Sequence, residues 1–141
     1  MKLVIDANIL VSAYSTSGRV QEYWRKGLGP NQLIISPEIF LEVERTLRQV
    51  EFHLTADEIT QYLKDILKRC SLARPKARYS GEMPDEKDRH LVNLALEVKA
   101  DKIITGETAL CAGSPIAGIA VLKLHEFIEE ISKYSKNEHH G

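Results

Sequence analysis

Two carboxylates stand at the ends of short apolar runs. Leu3-Val4-Ile5 stops at Asp6, and Lys102-Ile103-Ile104-Thr105-Gly106 leads to Glu107. In an α/β protein such positions lie just past buried strands, at the sheet edge where these folds bind ligands. Asp85 and Asp88 form a second acidic group, and Glu42 and Glu44 a third. Carboxylates that converge on one pocket repel each other, and a cation relieves that repulsion. Oxygen-only donors suit Mg²⁺ or Mn²⁺ rather than zinc. Such ions polarise a phosphoryl oxygen and lower the pKa of a bound water, so phosphoester hydrolysis is the chemistry to weigh. The chain has no serine or cysteine nucleophile elbow and no glycine-rich phosphate loop.

Taken singly, each acid also has a structural reading. Asp6 suits the N-cap of a helix beginning at Ile9-Leu10-Val11; if Asn8 caps that helix instead, Asp6 is free to face a crevice. Glu107 follows a glycine that permits a tight turn and close approach to a ligand, or it is a surface turn residue. Asp85 reads as a helix N-cap, and Asp88 falls in the first turn, where the helix dipole favours an acid whatever the function. At 100° per residue, Glu42 and Glu44 flank the apolar face of one helix on opposite edges, so periodicity does not choose between them.

The elements that must position these acids are legible. Residues 2–5, 33–35, 102–105 and 119–122 are short, β-branched-rich runs that read as strands, with a further edge strand near 71–74. Helical patterns lie between them. Ser36-Pro37 is a cap followed by a proline at the first helical position, ahead of an apolar face of Ile39, Phe40, Val43, Leu47 and Val50. Thr55-Ala56-Asp57-Glu58 is a capping box opening a helix with Ile59, Leu63, Ile66 and Leu67. A third helix starts at 85–88 and carries Leu91, Val92, Leu94, Ala95 and Val98, and a last one covers about 125–134. Strands alternating with helices predict a three-layer α/β/α sandwich around a central, mainly parallel sheet of four to five strands.

At 141 residues the chain suits one domain, residues 1–134, with 135–141 a disordered polar tail. No apolar run has the roughly 18–20 residues needed to span a membrane, and the N-terminus is not a signal peptide. Cys70 and Cys111 lack partners at zinc spacing and read as reduced thiols of a cytoplasmic protein. A net charge of −1 excludes indiscriminate polyanion binding but allows a local basic surface.

Four segments in order carry a resemblance: Val4-Ile5-Asp6-Ala7-Asn8-Ile9-Leu10-Val11-Ser12-Ala13, Ser36-Pro37-Glu38-Ile39-Phe40-Leu41-Glu42-Val43, Asp85-Glu86-Lys87-Asp88-Arg89-His90-Leu91-Val92, and Ala100-Asp101-Lys102-Ile103-Ile104-Thr105-Gly106-Glu107. Each is weak alone. Together, over about residues 2–128, they resemble the PIN-domain ribonucleases, closest to the branch of prokaryotic toxin–antitoxin toxins related to VapC. The resemblance implies a PIN-like fold, often homodimeric, and Mg²⁺- or Mn²⁺-dependent RNA cleavage leaving 5′-phosphate and 3′-hydroxyl ends. It also implies an antitoxin partner lying over the acidic groove. Asp6, Glu42 and Asp88 match the family's metal-binding acids, which selects Glu42 over Glu44, and Glu107 matches the fourth. Asn8 and Ser36 match polar positions beside the site that hold carboxylates or metal-bound water, Asp85 matches a frequent extra acid ahead of the third one, and Thr105 stands beside them. The chain departs from the pattern twice: Glu107 replaces the usual aspartate, and Ala109 stands where a further acid often follows.

Phosphate contacts require cations. Arg69, Arg74, Lys76 and Arg78, with Lys68, crowd one helix end and the loop after it, while Arg19, Arg25 and Lys26 lie near Tyr23 and Trp24. The aromatic pair offers stacking faces for unpaired bases, or is ordinary core. Arg89 and His90 adjoin Asp88 and either reach a scissile phosphate or are exposed polar residues. The leading expectation is a metal-dependent endoribonuclease of a toxin–antitoxin pair. A degenerate RNA- or protein-binding module is the alternative. An aspartyl phosphatase is a third reading, against which stands Asn8 where a second aspartate is wanted.

Overall fold

Every strand is a run of three or four residues whose apolar side chains are mostly buried, Leu72 on the sheet edge being exposed. They are β1 (Lys2–Ile5), β2 (Gln32–Ile35), β3 (Cys70–Leu72), β4 (Lys102–Ile104) and β5 (Ala120–Leu122). The computed structural model describes residues 1–15, 22, 24, 28 and 30–140. Arg19, Tyr23, Arg25 and Lys26, among the expected substrate contacts, lie outside the described residues.

The strands form one five-stranded sheet in the order β3-β2-β1-β4-β5, and every pairing is parallel. Central β1 pairs Val4 with Ile34 of β2 on one side and with Ile103 of β4 on the other. Leu3, Val4 and Ile5 are fully buried, as expected of a parallel sheet covered on both faces. Strand order reverses at β1. Connections run outward to β2 and β3 on one side and to β4 and β5 on the other, so right-handed crossovers put their helices on opposite faces. A crevice therefore opens between the carboxyl ends of β1 and β4, the place where open α/β sheets bind ligands.

The helices among the described residues are α1 (Ala7–Ser15), α2 (Pro37–Leu47), α3 (Ala56–Arg69), α4 (Arg89–Val98), α5 (Thr108–Ala112) and α6 (Leu124–His140). Two of them start as the sequence predicts. Ser36 Oγ accepts from Ile39 N (3.1 Å) ahead of Pro37, and Thr55 and Glu58 exchange both bonds of a capping box. α1 packs on α2, while α4 lies across β1 and β4. Phe127 of α6 is fully buried, with Leu124 nearly so.

Three expectations are corrected. α2 ends at Leu47, and Val50 belongs instead to a single 3₁₀ turn, Val50–Phe52. The segment 85–88 is likewise a 3₁₀ turn, Glu86–Asp88, that feeds into α4. α5 is new: it has five residues and one buried apolar side chain, Leu110, too little for a periodic signal. The helical backbone of α6 runs on to His140, since no proline or glycine intervenes before Gly141.

Candidate functional site

Asp6 is the first residue past β1, and its backbone N–H still donates to Ile104 O of β4 (3.0 Å). That bond fixes the residue at the switch point. The carboxylate is nearly buried and accepts three bonds. Ala7 N donates to Oδ1 (2.7 Å), while Thr105 Oγ1 (2.6 Å) and Asn8 Nδ2 (3.3 Å) donate to Oδ2. Ile9 N donates to Asp6 O, so Asp6 itself sits at the head of α1, and Asn8 lies inside that helix rather than capping it. Asn8 spans the crevice instead, accepting from Gly106 N through Oδ1 (3.1 Å).

Thr105, fully buried after β4, joins two acids through one hydroxyl. It donates to Asp6 and accepts from Glu107 N (3.1 Å). A Cβ at Gly106 would meet the Asn8 amide at 3.5 Å, an ordinary contact, and its backbone is not left-handed. The turn therefore does not require glycine, contrary to the sequence expectation. Glu107 heads α5, but its side chain caps nothing and lies 3.8 Å from Lys87 Nζ.

Asp88 closes the opposite wall. It is buried to the same degree as Asp6, and its side chain makes no cap bond to α4. Burial, and then the facing carboxylates of Glu107, Asp6 and Asp85, push its pKa up to about 6, against the pull of Lys87. Asp85 caps the 3₁₀ turn through Lys87 N (3.1 Å). From α2, Glu42 reaches the same space, together with Glu38 and Arg45 one turn to either side. Glu44 does not, and pairs with Arg48 at 3.7 Å.

Asp6, Glu42, Asp88 and Glu107 thus line one cleft of ≈ 300 Å³, with Asn8, Glu38, Arg45, Lys87 and His90. Thr105 and Asp85 touch that lining, whereas Ser36 is buried as the α2 cap. Among the described residues no three acidic or histidine side chains stand at the mutual spacing of a preformed cation cage. The donors nevertheless fit a hard divalent ion in kind. They are carboxylate oxygens on four acids, two of these acids nearly buried, and the proton affinity of Asp88 is raised first by burial and then by the neighbouring carboxylates, both of which a cation would offset. Glu42 and Glu107 are solvent-accessible at the rim. His90 adds a buried Nδ1 without a hydrogen-bond partner among the described residues, 3.8 Å from Glu38 Oε2.

The expected substrate-binding cations do not line this cleft. Arg69 is the last residue of α3, directly before β3, which places it at the opposite sheet edge; it bonds Asp65 (3.0 Å) and lies over the Trp24 ring. Trp24 is a core residue, 4% exposed, donating to Tyr14 OH (3.0 Å), and the Tyr14 hydroxyl in turn bonds Asp65. Arg74, Lys76 and Arg78 are exposed on an extended segment, alternating with partly buried Ala73, Pro75, Ala77 and Tyr79. Glu97 and Asn93 of α4 hold that segment by its backbone N–H groups. Arg89 turns away from the cleft to Tyr79 O, Gly81 O and Glu86. The cations that do line the cleft, Arg45 and Lys87, were missed. Arg45 follows Glu42 by three residues on a helix, a signal periodicity could have supplied. A larger cavity of ≈ 360 Å³ beside Tyr79 and Pro115 holds one acid, Glu82, and none of the site residues.

The family model described as "PIN domain" matches residues 2–109. Two solved structures share the fold. One is VapBC2 from Rickettsia felis bound to a DNA fragment from their promoter: TM-score 0.62 and 16% identity, covering 86% of this chain and 97% of that one. The other is PAE2754 from Pyrobaculum aerophilum: TM-score 0.59 and 13% identity, covering 94% of this chain and 96% of that one. No curated protein sequence matches significantly.

Proposed function

Because the chain belongs to the PIN domain family, we propose that it is a divalent-metal-dependent endoribonuclease, the toxin of a toxin–antitoxin pair. The observation that carries this reading is the meeting of Asp6, Glu42, Asp88 and Glu107 in one cleft at the switch point of a parallel sheet. The fold shared with VapBC2 supports the toxin assignment and an antitoxin as partner.

Asp6 and Asp88 would hold Mg²⁺ or Mn²⁺, with Glu42 and Glu107 completing the donor set. Such an ion supplies Lewis acidity toward a phosphoryl oxygen and a water of lowered pKa. The chain's own residues do the orienting. Thr105, Asn8 and the Ala7 N–H fix both oxygens of Asp6, so the anchoring acid has no rotamer freedom to lose. Arg45, on the cleft wall, is placed to take a non-bridging phosphate oxygen. Arg74, Lys76 and Arg78 present a row of exposed cations on which a longer RNA strand gains affinity without sequence choice. Water attacks phosphorus in line, the P–O3′ bond breaks, and the products carry a 5′-phosphate and a 3′-hydroxyl.

RNA cleavage by purified protein with Mg²⁺ or Mn²⁺, abolished by chelator and by Asp6→Asn, is the expected result. Equal cutting by the Asp6→Asn protein would sink the reading. A degenerate binding module is the second reading, favoured by the ion pair that Glu107 makes with Lys87. RNA binding without cleavage, together with no measurable Mn²⁺ affinity, would select it.

A further inference from the structure

Lys87 is the one cation that reaches the acids on the Glu107 side of the cleft among the described residues. Its Nζ lies 3.8 Å from Glu107 Oε2 and 3.9 Å from Asp85 Oδ2, so a single ammonium stands between two carboxylates on different elements. The backbone holds it there. Lys87 is in the middle of the 3₁₀ turn Glu86–Asp88, its own N–H donating to Asp85 Oδ1, and the turn leads into α4. Glu107 comes from the other wall, one residue before α5. Thr108 and Ala109, next along α5, add no further carboxylate. Asp6 and Asp88 are both nearly buried in the same cleft, and no ion pair to either is seen among the described residues. Arg45 and His90 line the far wall with Glu38 and Glu42.

The two sides therefore differ in what they lack. Among the described residues Asp6 and Asp88 have no cation within ion-pair reach, whereas the carboxylates of Glu107 and Asp85 share the Lys87 ammonium. From this geometry, and resting on the nuclease reading above, we infer that the cleft takes a single divalent ion, on the Asp6–Asp88 side, with Lys87 supplying the positive charge on the Glu107–Asp85 side. A second divalent ion would have to displace an ammonium from both carboxylates and stand close to a like charge.

The test is Mn²⁺ binding to the full chain by calorimetry and electron paramagnetic resonance, for the wild type, Lys87→Met and Lys87→Arg. One Mn²⁺ is expected for the wild type. Lys87→Met, a substitution at an exposed site that circular dichroism should show folded, is expected to take up a second Mn²⁺ or to bind the first at least about fivefold more tightly, the scale of one unit charge removed at about 4 Å near water. Lys87→Arg should keep the wild-type stoichiometry and affinity. Two Mn²⁺ on the wild type, or a Lys87→Met protein that binds Mn²⁺ as the wild type does, would overturn the inference. RNA cleavage by the wild type is scored separately. If it cuts RNA while Lys87→Met leaves Mn²⁺ binding unchanged, the Lys87 inference alone fails. If it binds one Mn²⁺, responds to Lys87→Met as stated and cuts nothing, the nuclease reading alone fails. Absence of both binding and cleavage overturns both.

Discussion

Adjacent parallel strands deliver Asp6 and Glu107 to the same sheet edge, yet the two carboxylates are held in opposite ways. Asp6 is 6% exposed, with both oxygens occupied by donors from Ala7, Asn8 and Thr105. The Glu107 carboxylate is accessible, and the partner found for it among the described residues is an ammonium at 3.8 Å on a lysine whose side chain is itself 61% exposed. A short side chain next to a strand end is fixed by backbone geometry. A longer one, three residues past the strand on a turn, is positioned by electrostatics that water can replace. If the cleft binds an ion, Asp6 is its rigid anchor and Glu107 an adjustable rim ligand.

The largest effect should come from breaking the anchor. Asp6→Asn keeps the shape of the side chain but removes its charge. RNA cleavage is expected to fall about a thousandfold, the scale of losing several kcal/mol of metal-centred stabilisation. The fold should survive, with an unchanged far-ultraviolet circular dichroism spectrum. A variant cutting within about threefold of wild type would remove Asp6 from the centre.

Asp88 tests whether the anchored side carries uncompensated charge. Its pKa in the fold is raised to about 6 from an ordinary value near 3.8, so the folded protein holds the proton more tightly than the unfolded chain. Ionisation thus costs stability. The contribution of Asp88 to stability is most favourable below about pH 4, declines as pH rises from there to about 6, and stays at the lower level above. The full shift corresponds to at most about 3 kcal/mol. In chelator, Asp88→Asn should therefore melt higher than wild type at pH 7, and the difference should vanish below pH 4. Mn²⁺ should stabilise the wild type at pH 7 and Asp88→Asn much less. A lower melting temperature for Asp88→Asn at pH 7 would contradict the proposed repulsion.

How much of this contrast was legible depends on the range of the interactions that make it. Strand ends and helix caps are local, so Asp6, Ser36-Pro37 and the Thr55–Glu58 box could be read from neighbouring residues. Glu42 and Glu44 were equivalent by periodicity and were told apart only by the family resemblance; in the fold the docking of α2 beside α1 separates them, Glu42 toward the cleft and Glu44 toward Arg48. Lys87, flanked in sequence by acids, drew no functional reading, because its partner Glu107 arrives through β4 rather than through its own helix. Arg69 illustrates the reverse error. It neighbours Arg74 along the chain, but the junction of α3 with β3 leaves it at the far edge of the sheet.

Thr105→Val probes the support of the anchor without touching its charge. The substitution keeps the shape of the side chain and deletes the hydroxyl, leaving Asp6 Oδ2 with the longer bond from Asn8 and Glu107 N without its acceptor. A stability loss of about 1–3 kcal/mol by denaturant unfolding is expected, along with about a tenfold fall in RNA cleavage. Wild-type values for both would show that Asp6 is held well enough by Ala7 and Asn8.

The smallest effect should come from the loose acid. Glu107→Gln removes a charge that Lys87 already offsets, at a side chain that caps no helix and is 36% exposed. Stability should change by less than about 0.5 kcal/mol, as for other surface ion pairs. Cleavage at saturating Mn²⁺ should fall only about threefold to tenfold, with most of the loss appearing as weaker ion binding, because a rim ligand lost from an anchored ion shifts occupancy before it shifts chemistry. A collapse as deep as that of Asp6→Asn would make the two acids equal partners. The difference in their hydrogen bonding would then have no bearing on catalysis.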